Sequence, residues 1–140
     1  MPGSYKIDKK NRWVHTVHWG VLSNADLVSM MDRGLKDPDF DPSFGEIADF
    51  TEVTQVEVSG DDIRELAQKN IFSPHSRRAI VVPNDVIFGL ARMYEILRDL
   101  QGETGIRVFR TLDEALDWVA PKARAPDTLA PPTSRGDSLR

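Results

Sequence analysis

The stretch DFTEVTQVEVSG, residues 49–60, contains the change of periodicity on which the fold depends. It begins at the end of one strand-like run, continues as a second, valine-rich extended run, and closes on Ser59-Gly60. After Gly60 the apolar residues follow helical spacing. The stretch therefore predicts an extended segment that passes into a helix at Ser59.

Outward from this stretch, strand-like and helix-like segments alternate along the chain. Strands are predicted over residues 4–7, 12–19, 46–50 (with an extended continuation to 58), 78–82 and 106–109, and helices over 24–36, 60–70, 85–101 and 112–119. The order β-β-α-β-α-β-α-β-α requires crossover connections, because parallel neighbours cannot be joined by tight turns. We therefore expect an α/β fold in which helices pack on a mixed, mostly parallel five-stranded sheet, with the first two strands as an antiparallel hairpin.

Composition indicates one soluble domain. The 140 residues are 40% hydrophobic and 29% charged and include no cysteine, which excludes disulfides and thiol chemistry. No run approaches the ~20 apolar residues of a membrane span, and the polar start does not resemble a signal peptide, so a cytoplasmic protein without membrane insertion is expected.

Charge and proline divide the chain into two parts. Residues 121–140 contain four prolines and carry a net charge of +2. The whole chain carries −4, so residues 1–120 carry −6. An acidic body argues against nucleic-acid binding. We expect a domain over residues 1–120 and a disordered Pro-rich tail over 121–140.

Three predicted helices begin with the same local signal. Ser23, Ser59 and Thr111 are each followed three positions later by a carboxylate, the pattern of a helix N-cap. Because the signal occurs three times, capping explains Ser59 without any special function.

The same region resembles the SpoIIAA-like family, which is related to the STAS domains of anti-sigma-factor antagonists and anion transporters. The resemblance rests on DFTEV at residues 49–53 and on EVSG at residues 57–60. A branch described as STAS/SEC14-like is similar at Trp19-Gly20, at DPDFDP (37–42), at DFTEVT (49–54) and at FGLARMYE (88–95). The resemblance covers about residues 5–119 and implies the fold more clearly than an activity.

In the antagonists a serine at this helix start is phosphorylated by a partner kinase, which makes Ser59 the candidate phosphorylation site here. A phosphate would meet the positive end of the helix. The acidic neighbours Glu57, Asp61 and Asp62 would oppose it, and the family pattern usually has apolar or small residues after Ser-Gly. The helix cap is the alternative interpretation.

The predicted helix over 85–101 suggests an interaction surface. Its core face is predicted to comprise Val86, Ile87, Leu90, Met93, Tyr94, Leu97 and Leu100. Phe88, Arg92 and Ile96 lie on another side and form a candidate homodimer or partner surface, or else half-buried side chains beneath a loop.

The remaining candidate sites are weak. His75, Arg77 and Arg78 gather at one end of a strand and could contact an anion, with a solvated loop as the alternative. His15 and His18 are three residues apart on a strand and point to opposite faces, so no metal site is predicted, and no cofactor motif is found.

Three functions follow from these observations. The first is a non-enzymatic regulatory or protein-interaction module with an unknown protein partner. The second is a SEC14-like carrier or sensor of an apolar, lipid-like ligand, which would need an enclosed pocket near the third helix. The chain is short for such a pocket, because we expect its apolar faces to be consumed by covering the sheet. The third, a small enzyme using Asp49, Glu57 or His75, is the least supported.

Overall fold

A computed structural model describes residues 3–69 and 71–119. The strands are β1 (Gly3–Asp8), β2 (Trp13–Ser23), β3 (Gly45–Glu57), β4 (Arg78–Val81) and β5 (Ile106–Phe109), and the helices are α1 (Asn24–Lys36), α2 (Gly60–Leu66), α3 (Asp85–Asp99) and α4 (Leu112–Val119). The predicted tail over 121–140 lies outside the described residues.

The five strands form one sheet in the order β1-β2-β3-β4-β5. β1 is antiparallel to β2, and every later pair is parallel. The expected mixed, mostly parallel α/β fold is therefore confirmed, including its antiparallel first hairpin.

β3 is a single strand rather than a short strand with an extended continuation. It pairs with β2 along most of its length, and the register slips between Val17 and Trp19, where two β3 residues lie opposite one β2 residue. This β-bulge is fixed locally, since Asp49 Oδ1 accepts hydrogen bonds from Thr51 N at 2.9 Å and Thr51 Oγ1 at 2.7 Å. The Asp-Phe-Thr triplet is thus the sequence of the bulge, and its central residue is Phe50.

Helices cover the two faces of the sheet unequally. α4 packs on one face, where Ala115 meets Ile47, Ala79 and Val81. On the other face α1 contacts β1 and β2, whereas α3 packs beside β5 and against α2. The two long helices thus lie over opposite edges of the same sheet face.

The predicted core face of α3 is wrong at both ends. Val86 and Leu100 are 69% and 77% exposed, while Ile87, Ala91 and Tyr94 are buried. A 15-residue helix is ~22 Å long, but the four-residue strand β5 beside it spans only ~13 Å, so the end turns of α3 extend past the strand that could cover them.

Candidate functional site

The candidate site is an apolar cavity between α1 and α3. Because α1 lies over β1 and β2 and α3 lies towards β5, the sheet between them forms the floor of a trough. The cavity encloses about 140 Å³ and is partly open to solvent. Leu35 of α1 lines it and is 52% exposed, which places Leu35 at the rim.

Most side chains around the cavity are hydrophobic. The floor residues are Val14, Thr16, His18 and Leu22 of β2, Glu46, Ala48, Phe50 and Val56 of β3, and Arg78 and Ile80 of β4. The walls come chiefly from Leu27, Met30, Met31, Gly34 and Leu35 of α1, Ile63 and Leu66 of α2, and Ile87, Leu90, Ala91 and Tyr94 of α3. The expectation that the sheet would consume all the apolar faces is therefore wrong.

His18 is a buried polar group in the cavity floor. Its imidazole stacks on the Phe50 ring with centroids 4.7 Å apart and planes 17° apart, and Phe50 lies opposite His18 at the bulge in β3. Burial lowers the pKa of His18 to about 4, against the weaker opposing effect of Asp26 and Asp49. The ring is therefore neutral at pH 7, and its Nδ1 atom has no hydrogen-bond partner.

The charged groups at the other end of the floor are paired. Arg78 donates from Nε to Glu46 at 3.0 Å, from Nη1 to Glu103 at 2.8 Å and from Nη2 to the Tyr94 hydroxyl at 3.1 Å. Glu103 also accepts from Arg98 Nε at 3.0 Å. Two buried cations thus face two carboxylates, and this cluster has no net charge.

The pKa of Arg78 follows from the same contacts. Burial lowers it, but Tyr94, Glu46 and Glu103 outweigh burial and hold the pKa above its usual value. The guanidinium also lies 4.4 Å from the centre of the Phe72 ring. Arg78 is therefore charged, and each of its three guanidinium nitrogens bonds to a neighbouring side chain.

α1 and α3 each contain one glycine, and only the glycine of α1 lines the cavity. A Cβ added at Gly34 of α1 or at Gly89 of α3 would meet no atom within 4 Å. Gly34 lines the cavity, whereas Gly89 is exposed and does not. Part of the space inside the cavity thus exists because residue 34 has no side chain.

The structure places the three predicted caps at helix starts. Ser59 Oγ accepts from Asp62 N at 3.1 Å, while Asp62 Oδ2 accepts from Ser59 N at 2.9 Å. Ser23 Oγ accepts from Asp26 N at 3.2 Å, and Thr111 Oγ1 accepts from Glu114 N at 3.2 Å. Ser59 is exposed and does not line the cavity, and its phosphorylation stays a prediction.

The structure does not bring His75, Arg77 and Arg78 into one anion site. His75 and Arg77 are exposed, whereas Arg78 is buried and bonded to two carboxylates. Successive strand residues point to opposite faces. Accordingly, Arg77 donates to the Trp118 carbonyl at 2.8 Å on the α4 side, away from Arg78.

The candidate surface on α3 is less exposed than the sequence suggested. Phe88 is half-buried against the core, and Arg110 lies 4.5 Å from the centre of its ring. Ile96 is 49% exposed, and Arg92 pairs with Glu95 at 2.9 Å. The homodimer through Phe88, Arg92 and Ile96 stays a prediction that depends mainly on Ile96.

Sequence reasoning missed the cavity residues, although one signal was present. Val14, Thr16 and His18 alternate along β2 and are all buried. Two polar residues at the inward positions of an alternating strand indicate a polar feature within the core. The gap between α1 and α3 gives no comparable signal, because it depends on how far apart the helices pack.

The fold also appears in a known structure. No protein-family model and no curated protein matches the chain. A crystal structure of an uncharacterized protein from the DUF3478 family with a SpoIIAA-like fold, from Shewanella loihica PV-4, is similar with a TM-score of 0.53 and 17% sequence identity. The alignment covers 84% of this chain and 93% of that one.

The class defined by the fold is thus an α/β domain with one antiparallel edge strand. More particularly, the chain has a SpoIIAA-like fold, as the resemblance at residues 49–60 implied. Within residues 3–69 and 71–119, none of the helices has the length and apolar character needed to cross a bilayer.

Proposed function

We propose that this protein binds a small apolar molecule between α1 and α3 and acts as a carrier or sensor without chemical turnover. The observation that carries the proposal is the apolar cavity of about 140 Å³ beside the sheet. Protein interiors are normally packed without voids of this size. A cavity of ~150 Å³ lined by aliphatic and aromatic side chains holds a benzene molecule.

The way the walls are built supports binding rather than loose packing. α1 and α3 rest on different strands, so each helix has its own support on either side of the gap. The bulge in β3 and the Asp49–Thr51 hydrogen bonds hold Phe50 in the floor. The cavity is therefore supported by regular secondary structure on the floor and on both sides.

The polar groups near the cavity support binding over catalysis. Arg78 donates hydrogen bonds to Glu46, to Glu103 and to the Tyr94 hydroxyl. Arg78 stays protonated, so its guanidinium cannot act as a general base. These groups instead fix one end of the cavity.

A titration with toluene tests the proposal, because toluene is close in size to the cavity. We expect saturable binding by calorimetry, together with NMR shift changes confined to residues that line the cavity. Gly34→Leu fills space in the wall and should weaken toluene binding by about tenfold or more. Gly89→Leu is the matched control, since it places the same side chain on α3 outside the cavity.

Two results would contradict the proposal. One is the absence of saturable toluene binding by the folded wild-type protein. The other is equal weakening by Gly34→Leu and Gly89→Leu, which would locate the bound molecule elsewhere. Native mass spectrometry of freshly purified protein adds an independent readout, since a retained small molecule should be absent from Gly34→Leu.

The regulatory or protein-interaction role remains a second candidate. It is supported by the exposure of Ile96 on α3 and by the SpoIIAA-like fold. The cavity proposal takes precedence because it rests on a concave apolar site lined by several elements rather than on one exposed apolar residue.

A further inference from the structure

The chemical class of the ligand follows from the polar atoms that the cavity offers. His18 is 3% exposed, lines the floor, and has a ring nitrogen without a hydrogen-bond partner. Leaving a buried polar group unpaired costs free energy that a ligand could recover by supplying the missing hydrogen bond. A neutral imidazole can donate from one nitrogen and accept at the other.

Thr16 adds a second polar side chain to the same part of the floor. It lies two residues before His18 on β2 and is buried, so both side chains are on the cavity side of the strand. Phe50 fixes the plane of the imidazole by stacking on it. The site therefore combines apolar walls with a small polar patch in a defined orientation.

The charges around the cavity disfavour an ionic ligand. Among the described residues that line it, Glu46 and Arg78 are the charged ones, and they bond to each other. The Nη1 and Nη2 atoms of Arg78 bond to Glu103 and Tyr94, respectively. An anionic head group would lose its hydration without gaining an available cation, which is costly.

The charges around His18 also disfavour an anionic ligand. The nearby charges that act on it are the carboxylates Asp26 and Asp49. Their field opposes the entry of another anion. Burial also disfavours the protonated form of the imidazole, so the ring offers no positive charge that could attract an anion.

We propose that the ligand is an uncharged, mainly apolar molecule that carries one hydrogen-bonding group, such as an alcohol, phenol or ketone, and that this group bonds to His18. The inference rests on the proposed function, because it requires that the cavity be occupied. It excludes fatty-acid anions and phosphate esters as preferred ligands.

Three probes of similar size separate the possibilities: toluene, benzyl alcohol and benzoate at pH 7. For the wild type we expect benzyl alcohol to bind at least tenfold more tightly than benzoate. His18→Phe retains an aromatic ring on Phe50 but removes the polar atoms. It should weaken benzyl alcohol about fivefold to tenfold, the usual effect of one hydrogen bond, and leave toluene within about twofold.

His15→Phe is the matched control. His15 also has a buried ring nitrogen without a partner, but it lies at an odd-step position from His18 on β2 and does not line the cavity. This variant should leave the affinity for all three probes unchanged.

A measurement on the unmodified protein covers the case in which His18→Phe does not fold. The imidazole nitrogen shifts of His18 should change when benzyl alcohol is added, by more than they change with toluene. The shifts of His15 should not change with either probe.

The outcomes distinguish the two proposals. The ligand inference is overturned if toluene and benzyl alcohol bind with equal affinity, His18→Phe does not weaken benzyl alcohol, and the His18 nitrogen shifts respond equally to both probes. The carrier function would still stand in that case. Benzoate binding as tightly as benzyl alcohol would overturn the restriction to uncharged molecules. If none of the three binds, both proposals fail.

Discussion

His18 of β2 and Phe50 of β3 stack their rings at a centroid distance of 4.7 Å, directly beside a bulge in β3. At this bulge, Phe50 and Thr51 together lie opposite His18. The local Asp49–Thr51 hydrogen bonds therefore help to determine the shape of the cavity floor. The Asp-Phe-Thr triplet thus influences the shape of the candidate ligand site.

The first prediction concerns pH. His18 has a pKa of about 4 in the folded protein and an ordinary value of 6.5, so the unfolded chain takes up the proton first as pH falls. Above pH 6.5, protonation of His18 does not change the free energy of unfolding. Between pH 6.5 and 4, that free energy falls by on the order of 3 kcal/mol. Urea unfolding across this range checks the loss.

His18→Phe is the control for that loss. The variant removes the imidazole and keeps the rest of the chain, so the difference between wild type and variant isolates the contribution of His18. We expect the stability of His18→Phe to fall much less between pH 6.5 and 4. Parallel pH profiles for the two proteins would contradict the assignment.

The second prediction uses the two helical glycines. Alanine at Gly34 or at Gly89 should stabilise the protein by about 0.5–1 kcal/mol each, because glycine is the poorer helix former and neither added methyl group meets an atom within 4 Å. Thermal unfolding of both variants measures the gain. Destabilisation by Gly34→Ala would indicate that the wall of the cavity is closed at α1.

The third prediction compares adjacent arginines. Arg78→Met should destabilise the protein by about 3–5 kcal/mol, since it leaves the largely buried Glu46 without its cation and the buried Glu103 with Arg98 alone. Arg77→Met, at an exposed position one residue earlier, should cost less than about 1 kcal/mol. Denaturant midpoints with unchanged slopes provide the comparison, and equal losses would contradict the burial argument.

The sequence was sufficient for the order of elements because each boundary has a local cause. Ser59 begins α2 through a bond to the amide of Asp62, three residues away. The buried strand β4 was visible as a short apolar run, RAIVV, which is typical of a strand covered on both faces. Such signals act within a few residues and require no knowledge of packing.

The cavity could not be predicted because it depends on distances between elements. Periodicity identifies an apolar face of α1 and of α3, but it does not fix the gap between them. The exposed ends of α3 have the same origin, since Val86 and Leu100 have helical spacing but lie at the ends of a helix that is longer than the neighbouring strand β5. Likewise, Arg77 and Arg78 are adjacent in the sequence, which suggested one basic cluster, but their side chains lie on opposite faces of the sheet.

The fourth prediction concerns Ser59. Ser59→Ala should destabilise the protein by about 1 kcal/mol, because the amide of Asp62 loses its acceptor. Ser59→Asn should recover most of this loss, since asparagine is an equally good N-cap and adds no charge beside Asp61 and Asp62. Thermal unfolding distinguishes this cap from a purely regulatory serine, for which alanine and asparagine would both leave the stability unchanged.

The fifth prediction tests the interaction surface on α3. Ile96 is exposed, whereas Phe88 is half-buried, so Ile96→Glu can disrupt an interface with little effect on folding. If the wild type is a homodimer through this face, the variant should have half its mass in light scattering. Leu100→Glu is the control, since Leu100 is also exposed but lies at the end of the helix. A monomeric wild type, or a dimer that survives Ile96→Glu with folding intact, would remove this face as the dimer contact.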